Sequence, residues 1–98
     1  MTNIIKNSGI LPWQATNIVA APSKPGVYVL RTATEISSII YIGSTDNLER
    51  RLNEHFLSGD VPGVLFFDWY ETGLLEEARN IEKQWIIKYS PKYNDQVG

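Results

Sequence analysis

The chain has 98 residues, 43% of them hydrophobic and 20% charged, with no cysteine. That is enough for one hydrophobic core, and it excludes a disulfide framework, a thiolate metal site and a disordered chain. Nine basic side chains against eleven acidic ones give a net charge of −2, so a polyanionic partner must be recognised through local clustering.

No apolar run approaches the roughly 20 residues of a membrane helix, and MTNIIKNSGILPW lacks the sustained apolar stretch of a signal peptide. A cytoplasmic (intracellular) chain with no membrane partner is expected. Residues 1–24 are interrupted by Pro12 and Pro22 and carry only a weak helix or strand signal near Gln14–Ala21, so they are expected to form an irregular arm. Gly26–Arg31 and Ser38–Gly43 are β-branched and aromatic, of strand length, and joined by a polar link, which predicts a hairpin. Asp46 then offers an N-cap, with Glu49 at N3, for a helix running to about Phe56. Ser58, Gly59, Asp60, Pro62 and Gly63 predict a turn, and Val64–Tyr70 a third strand. A second helix begins near Gly73–Leu74, carries Glu76 and Glu77 where the macrodipole favours them, and stops before Pro91. The order ββαβα predicts an α/β (α+β) domain over 25–98, built on a small three-stranded sheet flanked by helices.

Charged residues interrupt both helical stripes. Leu48, Arg51, Leu52, His55 and Phe56 follow the inward spacing of an amphipathic helix, while Glu49, Arg50, Asn53 and Glu54 lie on the outer side. Leu74, Ala78, Ile81, Trp85, Ile86 and Tyr89 share one arc of the second helix, and Glu82 projects into its middle. A carboxylate losing its hydration requires a cation, either a guanidinium or a metal. Two arrangements satisfy that need: a buried Arg51–Glu82 ion pair locking helix to helix, or a reactive cleft. His55 alone reads more readily as a hydrogen-bonded core residue, and Tyr28 and Tyr41, each alone, as strand packing. Taken together, Tyr28, Tyr41, Arg51, His55 and Glu82 compose a kit for metal-assisted phosphodiester hydrolysis. The carboxylate holds a divalent Lewis acid, and the guanidinium neutralises phosphate charge. A tyrosine near those cations is expected to have its pKa lowered and to accept a proton.

Gly26-Val27-Tyr28 and Tyr41-Ile42-Gly43 resemble the paired tripeptides of the GIY-YIG nuclease superfamily, with Val for the usual Ile in the first. Arg51 ten residues after Tyr41, His55 four further on, and Glu82 before Trp85-Ile86 follow the order of the homing-endonuclease branch, and Asn94 in SPKYN resembles the asparagine near the end of the family domain. Ser44 stands where the DNA-repair branch usually has lysine, so the repair relatives are expected to fit less well. The resemblance implies an antiparallel sheet and a single Mg²⁺ (or Mn²⁺) ion bound by Glu82. It further implies Tyr28 as general base, Tyr41 orienting water or phosphate, Arg51 on the phosphate, and His55 assisting proton transfer. Arg50 and Ser44 are expected to contact substrate, and Gly26, Gly43 and Asn94 to support the site structurally. DNA is the implied partner, with affinity supplemented by a protein partner or self-association. The alternative is a catalytically weak module of this type kept for binding nucleic acid or protein.

Overall fold

The computed structural model describes residues 4–94. In chain order they form β1 (Lys6–Asn7), β2 (Leu11–Pro12), α1 (Ala15–Val19), β3 (Gly26–Arg31) and β4 (Ile39–Thr45). Then follow α2 (Leu48–Ser58), β5 (Phe66–Glu71) and α3 (Leu75–Tyr89). Strand β3 occupies the centre, paired antiparallel with β4 on one side and β5 on the other. The segment from β3 onward keeps the expected ββαβα order, but the sheet has five strands where three were expected. The additional strands come from the arm. Lys6 pairs with Glu71 and Leu11 with Phe67, so β1 and β2 together cover the outer side of β5. Without them β5 would expose a row of unpaired backbone groups on that side. Two residues per strand are too few to show an alternating pattern, which is why the arm reads as irregular in the sequence. Its short helix α1 buries Ile18 against α2.

Because β3 is buried on both faces, its side chains alternate between two cores. Tyr28 and Leu30 pack with Ile18, Leu48, Leu52, Phe67 and Trp69 on the side of α1 and α2. Val27 and Val29 pack with Ile42, Ala78 and Ile81 on the side of α3. Gly26 is required by the crossing of these elements, since a Cβ there would lie 2.3 Å from the Tyr70 carbonyl oxygen and 2.6 Å from a Leu48 methyl. Helix α2 starts one residue later than expected. Its cap is Asn47, whose side chain accepts from the Arg50 amide at 3.0 Å, while Asp46 turns outward to pair with the Arg50 guanidinium. At the other end Gly59 adopts φ 63° and donates to the His55 carbonyl, closing the helix in the left-handed conformation that glycine tolerates.

The free edge of the sheet, β4, is capped by the C-terminal segment. Asn94 grips one residue of that strand from both sides: Oδ1 accepts from Ile42 N at 2.9 Å and Nδ2 donates to Ile42 O at 2.8 Å. The Tyr93 amide donates to Ile40 O at 2.9 Å. A side-chain amide thus substitutes for the missing neighbour strand.

The α3 side holds a buried ion pair that the helical stripes do not announce. Arg31 at the end of β3 donates Nε and Nη2 to the two carboxylate oxygens of Asp68 on β5, at 2.9 and 3.1 Å. Tyr70 also donates to Asp68. Burial and the neighbouring Asp68 charge both push the Tyr70 hydroxyl pKa up, so it remains a donor. With the polar groups satisfied, the pair is sustainable in the core. Its loss is not. Asp68→Ala leaves the Arg31 charge buried without its partner and is expected to cost roughly 3–5 kcal/mol in urea denaturation; a cost under about 1 kcal/mol would show the guanidinium escaping to solvent.

Candidate active site

Cross-strand register brings the two motif tyrosines together. Tyr28 is opposite Gly43 and Leu30 opposite Tyr41, so Tyr28 and Tyr41 lie on the same face, with ring centroids 6.2 Å apart. Gly43 is what lets Tyr28 lie down. A Cβ at that position would stand 2.2 Å from the Tyr28 hydroxyl oxygen and 2.3 Å from its ring carbon. Helix α2 lies over the same face and delivers His55, 3% exposed, with its ring 5.3 Å from Tyr28 and 5.5 Å from Tyr41.

These contacts form a chain of polar atoms. The Tyr28 hydroxyl is 2.8 Å from His55 Nε2, and His55 Nδ1 is 2.7 Å from Asp60 Oδ1. Beside it opens a pocket of about 390 Å³ lined by Tyr41, Arg51, His55, Asp60, Val61, Pro62 and Tyr93. Asp60 reads in the sequence only as a turn residue. Nothing in its spacing marks it, because the left-handed Gly59 sends it back over the last turn of the helix.

The two adjacent arginines separate as the helical periodicity predicts. Arg51 lines the pocket and Arg50 does not. Arg51 is half-buried and pairs with Glu54 Oε1 at 3.1 Å. Arg50, 53% exposed, pairs with Asp46 and more distantly with Glu54. No Arg51–Glu82 ion pair exists among the described residues. Glu82 belongs to α3, on the other side of the sheet, and accepts from Ser44 Oγ at 2.6 Å. Ser44 is opposite Val27 and so points to the α3 side, where it holds the carboxylate at the β4 edge. The edge is thin enough for charge to act around it: Glu82 contributes to raising the pKa of both Tyr28 and Tyr41.

The protonation state of Tyr28 differs from the sequence-based expectation. Burial dominates and drives its hydroxyl pKa well above the ordinary tyrosine value, with Tyr41 and Glu82 adding to the rise and Arg51 opposing it. Tyr41 shifts upward for the same first reason, again opposed by Arg51. A phenol is therefore the resting form of both. In Asp60, burial favours the neutral acid, but the His55 hydrogen bond and charge outweigh it and hold the carboxyl below the usual range. Arg51 is kept protonated: burial opposes its charge, while Tyr28 and Glu54 more than compensate.

Among the described residues no three His, Asp or Glu side chains converge as a metal cage. Glu82 is a single carboxylate at the edge of the site, suited to an ion that keeps most of its water shell.

The model of the GIY-YIG catalytic domain matches residues 24–94. The chain belongs to the GIY-YIG family. Its relatives include UvrABC system protein C of Thermosipho africanus, 39% identical over 79 residues, which are 72% of this chain and 13% of that protein. The corresponding protein of Corynebacterium jeikeium is 33% identical over 82 residues, 74% of this chain and 12% of its own length. The chain thus spans about an eighth of the curated relatives it matches. Among solved structures, it is similar to the GIY-YIG N-terminal endonuclease domain of UvrC from Thermotoga maritima bound to its catalytic divalent cation, magnesium. That likeness has a TM-score of 0.65 at 29% identity and covers 80% of this chain and 91% of the other. A point mutant of the same domain gives a TM-score of 0.68 at 28% identity, over 80% and 90% of the two chains. These relatives are UvrABC system protein C and the endonuclease domain of UvrC, so the likeness is to the GIY-YIG family as a whole and not specifically to the homing-endonuclease branch that the motif order suggested. In this GIY-YIG chain the serine has a place of its own, as the donor to Glu82.

The clearance over Gly43 can be tested directly. Gly43→Ala is expected to force the Tyr28 ring off the strand, costing about 1–3 kcal/mol of stability and breaking the contact with His55. An unchanged denaturation midpoint together with an unshifted His55 ring signal in NMR would show that β4 yields instead.

Proposed function

We propose that the chain is the catalytic module of a divalent-metal-dependent endonuclease that hydrolyses DNA phosphodiester bonds. Residues 25–98 form the module and the preceding segment supports it. The observation that carries this reading is the convergence of Tyr28, Tyr41, His55 and Arg51 from a sheet face and a helix, with Glu82 at the adjoining edge. The similar endonuclease domain of UvrC from Thermotoga maritima, bound to its catalytic magnesium, supports the same chemistry.

Glu82 is the residue that would hold Mg²⁺ or Mn²⁺, with Ser44 orienting its carboxylate. The bound ion supplies Lewis-acid polarisation of a phosphoryl oxygen. Arg51, protonated and facing the pocket, neutralises charge developing on the phosphate. Tyr41 lines the pocket and orients the water or the phosphate. Tyr28 accepts the water proton, and His55, in contact with its hydroxyl, takes part in that transfer. With burial favouring the phenol, Tyr28 works by passing a proton on, not by resting as a phenolate. Arg50 contacts the DNA backbone outside the pocket. An acidic chain gains little from general electrostatic attraction to DNA, so a protein partner, self-association or a structured substrate supplies the remaining affinity.

A cleavage panel of supercoiled, linear, branched and single-stranded DNA tests the reading. Cleavage is expected with Mg²⁺ or Mn²⁺ and none in chelator, and Glu82→Ala should fall to the chelator level with stability changed by less than about 1 kcal/mol. Absence of cleavage on every topology, with both metals, would defeat it.

The neighbouring arginines give a sharper comparison. Arg51→Ala should lower turnover roughly 10²–10³-fold at saturating DNA. Arg50→Ala should instead weaken binding and reduce the salt slope by about one phosphate contact. Equal losses of turnover would contradict the division of the helix into pocket-facing and solvent-facing sides.

A further inference from the structure

Resting on that endonuclease reading, we propose that Asp60 is a positioning residue: it fixes His55 as the Nδ1–H tautomer, leaving the Nε2 lone pair to receive the Tyr28 proton. The side chain of Asp60 is 48% exposed and stands outside the buried contact between Tyr28 and His55. It reaches the ring from the far side, with Oδ1 at 2.7 Å from Nδ1. An ionised carboxylate can only accept, so this contact requires the hydrogen on Nδ1. A neutral imidazole then has a bare Nε2, and at 2.8 Å the Tyr28 hydroxyl is its donor. The opposite tautomer would point Nε2–H at the tyrosine oxygen and leave two lone pairs facing each other at Asp60.

The direction of proton flow depends on this choice. When Tyr28 takes a proton from the attacking water, it gives its own to Nε2 and ends as the phenol it began as. The water oxygen bonds to phosphorus, and the leaving alkoxide departs and takes a proton from solvent. The imidazolium formed is flanked by the Asp60 carboxylate, which favours the charge as it appears. A buried phenol that resists ionisation thereby transfers a proton without ever holding a full negative charge. Asp60 is itself held for the task. The left-handed Gly59 sets its direction, and the Asp60 amide donates to Ser58 Oγ at 3.3 Å.

His55 is the sole histidine of the sequence, so one imidazole reports on the proposal without ambiguity. Long-range ¹H–¹⁵N NMR of the full chain at mildly alkaline pH is expected to show the Nδ1–H form, moving toward Nε2–H in Asp60→Ala. With supercoiled DNA and Mg²⁺, Asp60→Ala should lower kcat roughly 10- to 100-fold with KM little changed, and Asp60→Glu should restore part of the loss. A wild-type Nε2–H tautomer, or one that Asp60→Ala leaves unchanged in a cleaving enzyme, overturns the positioning role. A tautomer switch in a chain that cuts no DNA overturns the endonuclease reading instead.

Discussion

Strand β3 has no exposed side, and each of its residues must therefore fit one of two cores. Val27 and Val29 go to the α3 side, whereas Tyr28 and Leu30 go to the α2 side. That alternation puts a polar aromatic under a helix where only aliphatic packing would otherwise be stable. Tyr28 is accommodated because Gly43 opposite it has no Cβ, and because His55 satisfies its hydroxyl. Remove either condition and a buried phenol becomes a steric or a hydrogen-bonding fault. The two tripeptides are thus two halves of one packing solution, with the tyrosine of the first seated on the glycine of the second.

The same sheet carries polar clusters on opposite faces, and the two do different work. Arg31 and Asp68 are closed off from solvent, Tyr70 partly so, and the three satisfy one another, as a structural cluster must. Tyr28, His55 and Asp60 run from a buried hydroxyl out to an exposed carboxylate beside an open pocket. Glu82 joins the second set from the first set's side. It can do so because β4 is the edge strand, and the edge is where groups from the two faces come within electrostatic reach. Asn94 satisfies the Ile42 backbone on that edge without a further strand to separate Glu82 from the pocket.

Much of the core order was legible. Strand and helix periods located β3, β4, α2, β5 and α3 within a few residues, since each is long enough to repeat its apolar spacing. The division of Arg50 from Arg51 followed from helical geometry alone. The arm did not, because its strands are two residues long and owe their existence to β5. The cap of α2 was displaced by one residue, as Asp46 and Asn47 are both competent caps and only the approach of the chain selects between them. A buried carboxylate was foreseen, but on the wrong element: Asp68 sits in FFDWYE, where strand alternation hides one charge among aromatics, while Glu82 stays half-exposed at an edge.

By itself, the sequence determined the elements from β3 onward, the inward pair Arg51 and His55, and the family that its tripeptides announce. Tertiary structure alone decided which groups touch. It took the Arg51 charge to Glu54, gave Ser44 to Glu82, lifted the tyrosine pKa values through burial, and folded Asp60 back onto His55. The physical reason is range. Periodicity and propensity are local properties readable within a dozen residues, whereas desolvation and hydrogen-bond partnership depend on neighbours that the chain brings together only once it has folded.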